Sequence, residues 1–210
     1  MAKVETIKKQ GKIRVKSEEN ILNAAQEEFI IQGYKGASVQ SIADRAKLPK
    51  ANVLYYFKNK ENIYHAILQL TLDMWDQGIG DIELEDGPTK AIEKIIAAKV
   101  KMAFENPNAS KIYALEIIQG AQHLKEFART YLRKWVREKA KLFQYWIDNG
   151  EMADVNPVNL IFLIWSSTQH YADFETQILT IMNRADYEAE DIEQVTAFLS
   201  DIILRGCKLK

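Results

Sequence analysis

The chain has 210 residues, nearly half of them apolar, so it can bury one or two sizeable cores and is not a disordered polypeptide. Its longest apolar run, Leu160 to Trp165, is six residues, too short to span a bilayer; with no apolar signal core near the N-terminus and one cysteine, Cys207, the expected setting is reducing and cytoplasmic, with no membrane partner. The formal charge of −1 conceals opposite halves: residues 1–60 carry 12 Lys and Arg against 6 Asp and Glu, and residues 61–210 carry 16 against 23, as expected for nucleic-acid binding confined to one end.

Apolar residues recur at spacings of three and four, no stretch alternates with period two for long, and Gly and Pro are sparse, which predicts an all-α fold. Residues 1–16 hold Lys3, Lys8, Lys9, Lys12, Arg14 and Lys16 against Glu5, without an apolar stripe, and read as a flexible basic arm. Such an arm either tracks phosphates or only solubilises the chain. Ser17 is placed to cap a helix with Glu18 and Glu19 in its first turn. Ile21, Leu22, Ala25 and Phe29 form its inner face, and Gly33 stops it.

From Ser38 to Ala46, the residues Val39, Ile42, Ala43 and Ala46 share one side of a short helix. Pro49 bars its continuation and suits the first position of a second short helix, Lys50 to Phe57. Two short helices joined by a tight turn make a helix-turn-helix, whose second helix enters the major groove of double-stranded DNA. Lys50 and Asn52 have the chemistry for base edges or phosphates, and small Ala51 permits close approach. Any helical hairpin shares this pattern.

The stretch from Asn20 to Ile67 resembles the DNA-binding domain of the TetR family of bacterial transcription regulators. Ile21, Ala24, Ala25, Phe29, Gly33, Tyr34, Ser38, Ile42, Ala43, Ala46, Tyr56, Phe57, Lys60 and Glu61 match in order and without gaps. Lys47 stands where that family has Gly, and Pro49 where it has Ser or Thr. The first exchange puts a side chain where φ is expected to be positive, at about 1 kcal/mol. The resemblance implies DNA contacts by Ser38, Lys50, Ala51, Asn52, Tyr55, Tyr56 and Lys60, with Tyr56 on a phosphate and Tyr55 on the groove surface. It also implies an N-terminal three-helix helix-turn-helix domain, 17–60, and a C-terminal helical ligand-binding and dimerisation domain, 61–210.

Asn59 caps a long helix, Lys60 to about Gln77, whose free N–H groups attract an anion. Lys60 and Trp75 lie about 22 Å apart along it, so one rod joins the DNA end to the second domain. Gly78 and Gly80 end the rod. Pro88 opens a helix with Ile92, Ile95, Ile96 and Ala103 inward, and Asn106-Pro107 marks a turn. Residues 109–122 follow as a helix with Glu116 as a minor pocket candidate. A longer helix, 124–149, has Leu132, Trp135, Leu142, Phe143 and Trp146 as its seam.

Asn156-Pro157 starts a helix that begins apolar and turns abruptly polar: Ser166, Ser167, Thr168, Gln169, His170, Tyr171, Asp173. Trp165, Gln169 and Asp173 recur every four residues, so this is a core stripe, an interface or the wall of a pocket. A flat indole beside a primary amide suits a planar heterocycle with an amide edge. The last helix, Glu188 to Arg205, puts Ile192, Val195, Leu199 and Ile202 on one stripe.

Residues from about Pro107 to Gln177, and WSSTQHYADF in particular, resemble the ligand domain of the Rut subgroup of TetR regulators, repressors of pyrimidine utilisation that respond to uracil and thymine. The resemblance implies Trp75, Trp165 and Gln169 around a pyrimidine-like effector, with Tyr171 and Asp173 behind them, and a homodimer paired through the last two helices. A homodimer also fits a palindromic operator. The expected function is ligand-responsive repression without a cofactor; the serious alternative is a repressor with another heterocyclic or metabolite effector. An enzyme using His170 with Asp173 or Glu116 is the rival from another class, but the sequence has three His, no partnered nucleophile at motif spacing and no Cys/His metal set.

Overall fold

The computed structural model describes residues 2–79 and 82–209, and within these the side chains of 14–76 and 82–209. The described residues contain helices and no strand. They form two compact units, Met1–Thr71 and Leu72–Lys210, divided inside the long fourth helix.

In the first unit, α1 spans Ala2–Gly36, α2 Val39–Ala46 and α3 Lys50–Phe57, and α4, Lys60–Ile79, enters it with its first half. The basic arm expected at 1–16 is instead helical from Ala2, so Ser17 lies inside α1 rather than capping it. Lys, Gln, Glu and Ala, all good helix formers, dominate the segment, and it holds no proline. The side chains of Lys3, Lys8, Lys9 and Lys12 lie outside the described residues, as does Gly80. Gly33 breaks α1 as expected, with φ 68° and ψ 169°. Ile21, Ala25, Phe29, Ile42, Ala43, Val53, Ile63 and Ile67 fill a small core. Phe29 and Tyr34 flank the Tyr64 ring, at 4.9 and 4.8 Å between centroids. Asn59 caps α4 as anticipated, accepting from the Asn62 N–H at 2.8 Å.

In the second unit a 3-10 turn, Leu84–Asp86, leads into α5, Gly87–Glu105. Next come α6, Pro107–Ile118, and the short α7, Lys125–Phe127, which runs through a π-helical stretch, Ala128–Leu132, into α8, Arg133–Asp148. Then follow α9, Pro157–Asp173, α10, Glu175–Met182, and α11, Ala189–Gly206. Asn156 caps α9, accepting from the Asn159 N–H at 2.9 Å. The core packs Ile92, Ile95 and Ile96 of α5 against Phe143 and Trp146 of α8, Ile161 and Ile164 of α9, and Leu199 and Ile203 of α11. Ile202, expected on one apolar stripe with Ile192, Val195 and Leu199, is 54% exposed beside Phe198 at 60%, because the inner face of α11 runs through Leu199, Ile203 and Leu204. Among the described residues no helix is long and apolar enough to cross a membrane.

Candidate DNA-reading face and effector cavity

Ser38 and Ser41 cap α2 reciprocally: the Ser38 hydroxyl accepts from the Ser41 N–H at 3.0 Å, and the Ser41 hydroxyl accepts from the Ser38 N–H at 3.0 Å. Lys47 ends the helix in the left-handed region, φ 56°, as anticipated. The Leu48 N–H then reaches the Ala43 carbonyl at 3.0 Å, which closes the turn as a Schellman motif. Pro49 stands one position earlier than expected, at the N-cap of α3, and supplies no side-chain cap.

From this turn α3 projects Lys50, Ala51, Asn52 and Tyr55 outward, while Val53 is fully buried and anchors the helix. Tyr55 is 77% exposed, whereas Tyr56 is half-buried, its ring edge-on to Tyr55 at 5.3 Å. Lys60 stands apart from this exposed set. Its ammonium donates to the carbonyls of Tyr34 at 2.6 Å and Ala37 at 2.8 Å and lies 4.5 Å from the Tyr34 ring centre. It thereby ties the start of α4 to the end of α1, and that role leaves it little freedom for a phosphate.

The second unit contains a cavity of about 50 Å³ lined by residues of α4, α5, α6, the π-helical stretch, α8 and α9. One water needs about 10–15 Å³ on the same measure, so the space holds several waters or one small planar ring. Trp75, Trp165 and Gln169, the three primary ligand residues expected from the sequence, all line it. Trp165 lies 5.7 Å from Trp135, and Trp75 stands edge-on to Tyr113 at 4.5 Å. The walls are therefore aromatic on several sides, with the Gln169 amide as a combined donor and acceptor.

Three further features of the cavity escaped the sequence reading. Trp135 lines it from α8 instead of serving only as seam. The π-helical turn brings Tyr131 and Leu132 to the wall; such turns insert an extra residue and re-aim side chains, often at functional sites. The Tyr131 hydroxyl donates to the Asp76 carboxylate, which pushes the phenol up to about 12. Finally, Lys99 of α5 is 4% exposed and places its ammonium 4.3 Å from the centre of the Trp75 ring. A signal for Lys99 existed: it falls three and four residues after Ile96 and Ile95, on the buried stripe.

Tyr171 and Asp173 do not line the cavity. Each four-residue step on a helix advances by about 40°, so Asp173 has drifted about 80° from Trp165, and Tyr171 faces nearly the other way. The Tyr171 ring packs 5.7 Å from Phe104, and its carbonyl accepts from the Tyr187 hydroxyl at 2.8 Å. Asp173 accepts from the Ser110 hydroxyl at 2.7 Å, and burial raises its pKa against the opposing pull of that bond and of Lys99. Glu116 is buried away from the cavity and accepts from the His123 N–H at 2.6 Å. The polar half of α9 is also partly self-satisfied: Thr168 donates to the Ile164 carbonyl at 2.7 Å and Ser167 to the Leu163 carbonyl at 2.8 Å.

Comparison with known proteins matches both units. The sequence profile described as bacterial regulatory proteins, tetR family, covers residues 21–67, and that described as the YcdC-like protein C-terminal region covers 68–210. The chain is 32% identical over 205 residues to the HTH-type transcriptional regulator RutR of Escherichia coli K12, covering 98% of this chain and 97% of that one. It is 22% identical over 201 residues to the HTH-type transcriptional repressor NicS of Pseudomonas putida, covering 92% and 93%. Among solved structures, AibR in complex with isovaleryl coenzyme A and operator DNA superposes with a TM-score of 0.66 at 17% identity, over 89% of this chain and 97% of that one. A putative fatty acid metabolism regulator of Clostridium perfringens superposes with a TM-score of 0.69 at 21% identity, over 91% and 100%.

Proposed function

We propose a function from one premise: this chain belongs to the TetR family of bacterial transcriptional regulators, and it is a regulator rather than an enzyme. It is a DNA-binding repressor whose second unit takes a small-molecule effector. In our reading that effector is a pyrimidine, uracil or thymine, held between Trp75 and Trp165 with its amide edge on Gln169. The observation that carries this is the convergence of those three side chains, from α4 and α9, on one small aromatic-walled cavity. Its relative RutR, similar over nearly the whole chain, supports the same direction.

The repressor acts as a homodimer on a palindromic operator, because a single α3 reads only one half-site. In support, α9 and α11 expose Phe162, Leu163, Phe198 and Ile202, each at least half accessible. Leu163 and Ile202 share an apolar groove with Leu160, Ile203 and Cys207. Lys50, Ala51, Asn52 and Tyr55 meet the major groove, Tyr56 a phosphate, and Ser38 the adjoining backbone. Helix α4 carries Trp75, so an effector that shifts this indole acts on the same helix that begins at Lys60. Such coupling need supply only about 1–3 kcal/mol.

A thermal-shift screen of uracil, thymine, cytosine, purines and acyl thioesters tests the effector directly. Uracil or thymine should raise the melting temperature, and Gln169→Ala and Trp165→Ala should each abolish the shift. A rise with an acyl thioester and none with any pyrimidine would overturn the reading.

A further inference from the structure

Lys99 is the feature of the second unit that the assigned roles do not absorb. It sits on the inner face of α5, one residue from Val100, which is fully buried. Among the described residues no acceptor or carboxylate lies within bonding distance of its ammonium, whose contact is the face of Trp75 at 4.3 Å. Asp173 is the opposing charge that acts on it, but Asp173 is turned to Ser110 and does not line the cavity. Asp76 does line it, exposed, with its carboxylate taken up by the Tyr131 hydroxyl. The cavity thus presents a cation without an acceptor at its buried side and, at its exposed side, a carboxylate already engaged by a tyrosine hydroxyl. A buried ammonium without an acceptor is costly, and chains keep such groups where a ligand completes them.

Resting on the pyrimidine reading, we propose that Lys99 is a specificity-determining residue of the cavity: its ammonium pairs with an exocyclic oxygen of the ring and favours ligands in which that oxygen is ionised. An ammonium offers donors only, so it accepts a carbonyl and gains most from an anionic oxygen, where the bond is charge-assisted and little water competes. Trp75 holds the ammonium by its ring face, which leaves the remaining N–H groups for the ligand. Burial pushes Lys99 down to about 8, with Asp173 opposing, so it stays protonated at neutral pH. Among oxo-pyrimidines the cavity therefore discriminates by the charge on that oxygen, accepting the carbonyl of uracil or thymine and gaining further from an ionised one, with Gln169 on the amide edge and the indoles on the faces.

Calorimetric titration of the full chain with uracil and with barbiturate, at pH 7, tests this. Both have the same ring, and barbiturate carries an ionised oxygen. The wild type should bind barbiturate at least tenfold more tightly than uracil. Lys99→Met should bring that ratio near one, Lys99→Arg should keep part of it, and Gln169→Ala should weaken both rings alike. Lys99→Met should keep uracil binding within about threefold of wild type, which separates loss of the charge from loss of the cavity. If uracil binds and barbiturate gains nothing, or if Lys99→Met keeps the ratio, the proposal is wrong while the pyrimidine reading stands. If neither ring binds, the pyrimidine reading fails and takes this proposal with it.

Discussion

Lys99 and Lys60 show how differently two lysines use burial. Lys60 spreads its charge over two carbonyls and a tyrosine ring, so its removal leaves those carbonyls short of a donor. Lys60→Met should cost about 1–3 kcal/mol in urea unfolding, which would mark it as a structural tie. Lys50→Ala should leave stability unchanged and weaken DNA binding by about 1–3 kcal/mol, read by fluorescence anisotropy, because Lys50 is exposed at the start of α3. Lys99 gives a pH signature. Its pKa falls from 10.5 in the unfolded chain to about 8 when folded. Below pH 8 both states hold the proton and the cost of burying charge is felt in full. Between 8 and 10.5 the folded state sheds its proton while the unfolded state keeps it, so stability rises relative to a neutral residue. Asp173 is the charge coupled to Lys99, burial pushes the Tyr113 phenol up, and the Asp76 carboxylate pushes the Tyr131 phenol up, so Lys99 is the group of this region whose titration dominates between pH 7 and 10. Lys99→Met should therefore stabilise the chain at pH 7, and that gain should shrink by up to roughly 2 kcal/mol by pH 10. A gain constant with pH would refute the assignment of the shift to Lys99.

Among the elements, the turn between α2 and α3 was the most legible part of the sequence. Ser38, the apolar spacing to Ala46 and Pro49 are strong local signals, and each acts through the backbone of its own neighbours. Asn59 and Asn156 were readable as caps for the same reason. Gly33 belongs here as well. Its φ of 68° and ψ of 169° fall in a region that is nearly glycine-only, and open space surrounds the position of an added Cβ. Gly33→Ala should lower stability by about 1–3 kcal/mol through backbone strain alone, checked by urea unfolding. The cavity was only half legible. Trp165, Gln169 and Asp173 share a four-residue spacing legible in the sequence, whereas Trp75 and Tyr171 followed from the resemblance, and helical drift turns Asp173 away from the wall. Tyr131 was hidden because a π-helical turn leaves no mark in composition, and Leu132 and Trp135 because a seam residue and a cavity wall share one periodicity. Lys99 was passed over because charges on amphipathic helices usually face water.

The whole molecule combines a basic, DNA-reading unit and an acidic unit with a ligand cavity, and their charge contrast was visible from the count of Lys, Arg, Asp and Glu alone. Assembly is the property that a single chain expresses least. The exposed Phe198 and Ile202 of α11 give it a handle: the double variant Phe198→Arg, Ile202→Glu should shift sedimentation toward monomer and reduce DNA affinity while preserving helicity. The most direct test of the account is the anisotropy of a palindromic duplex, selected by the protein from a random pool, titrated with and without saturating uracil. Uracil should weaken DNA binding by about 5- to 150-fold, the range of ordinary allosteric coupling. Uracil that binds the protein and leaves its DNA affinity unchanged would contradict it.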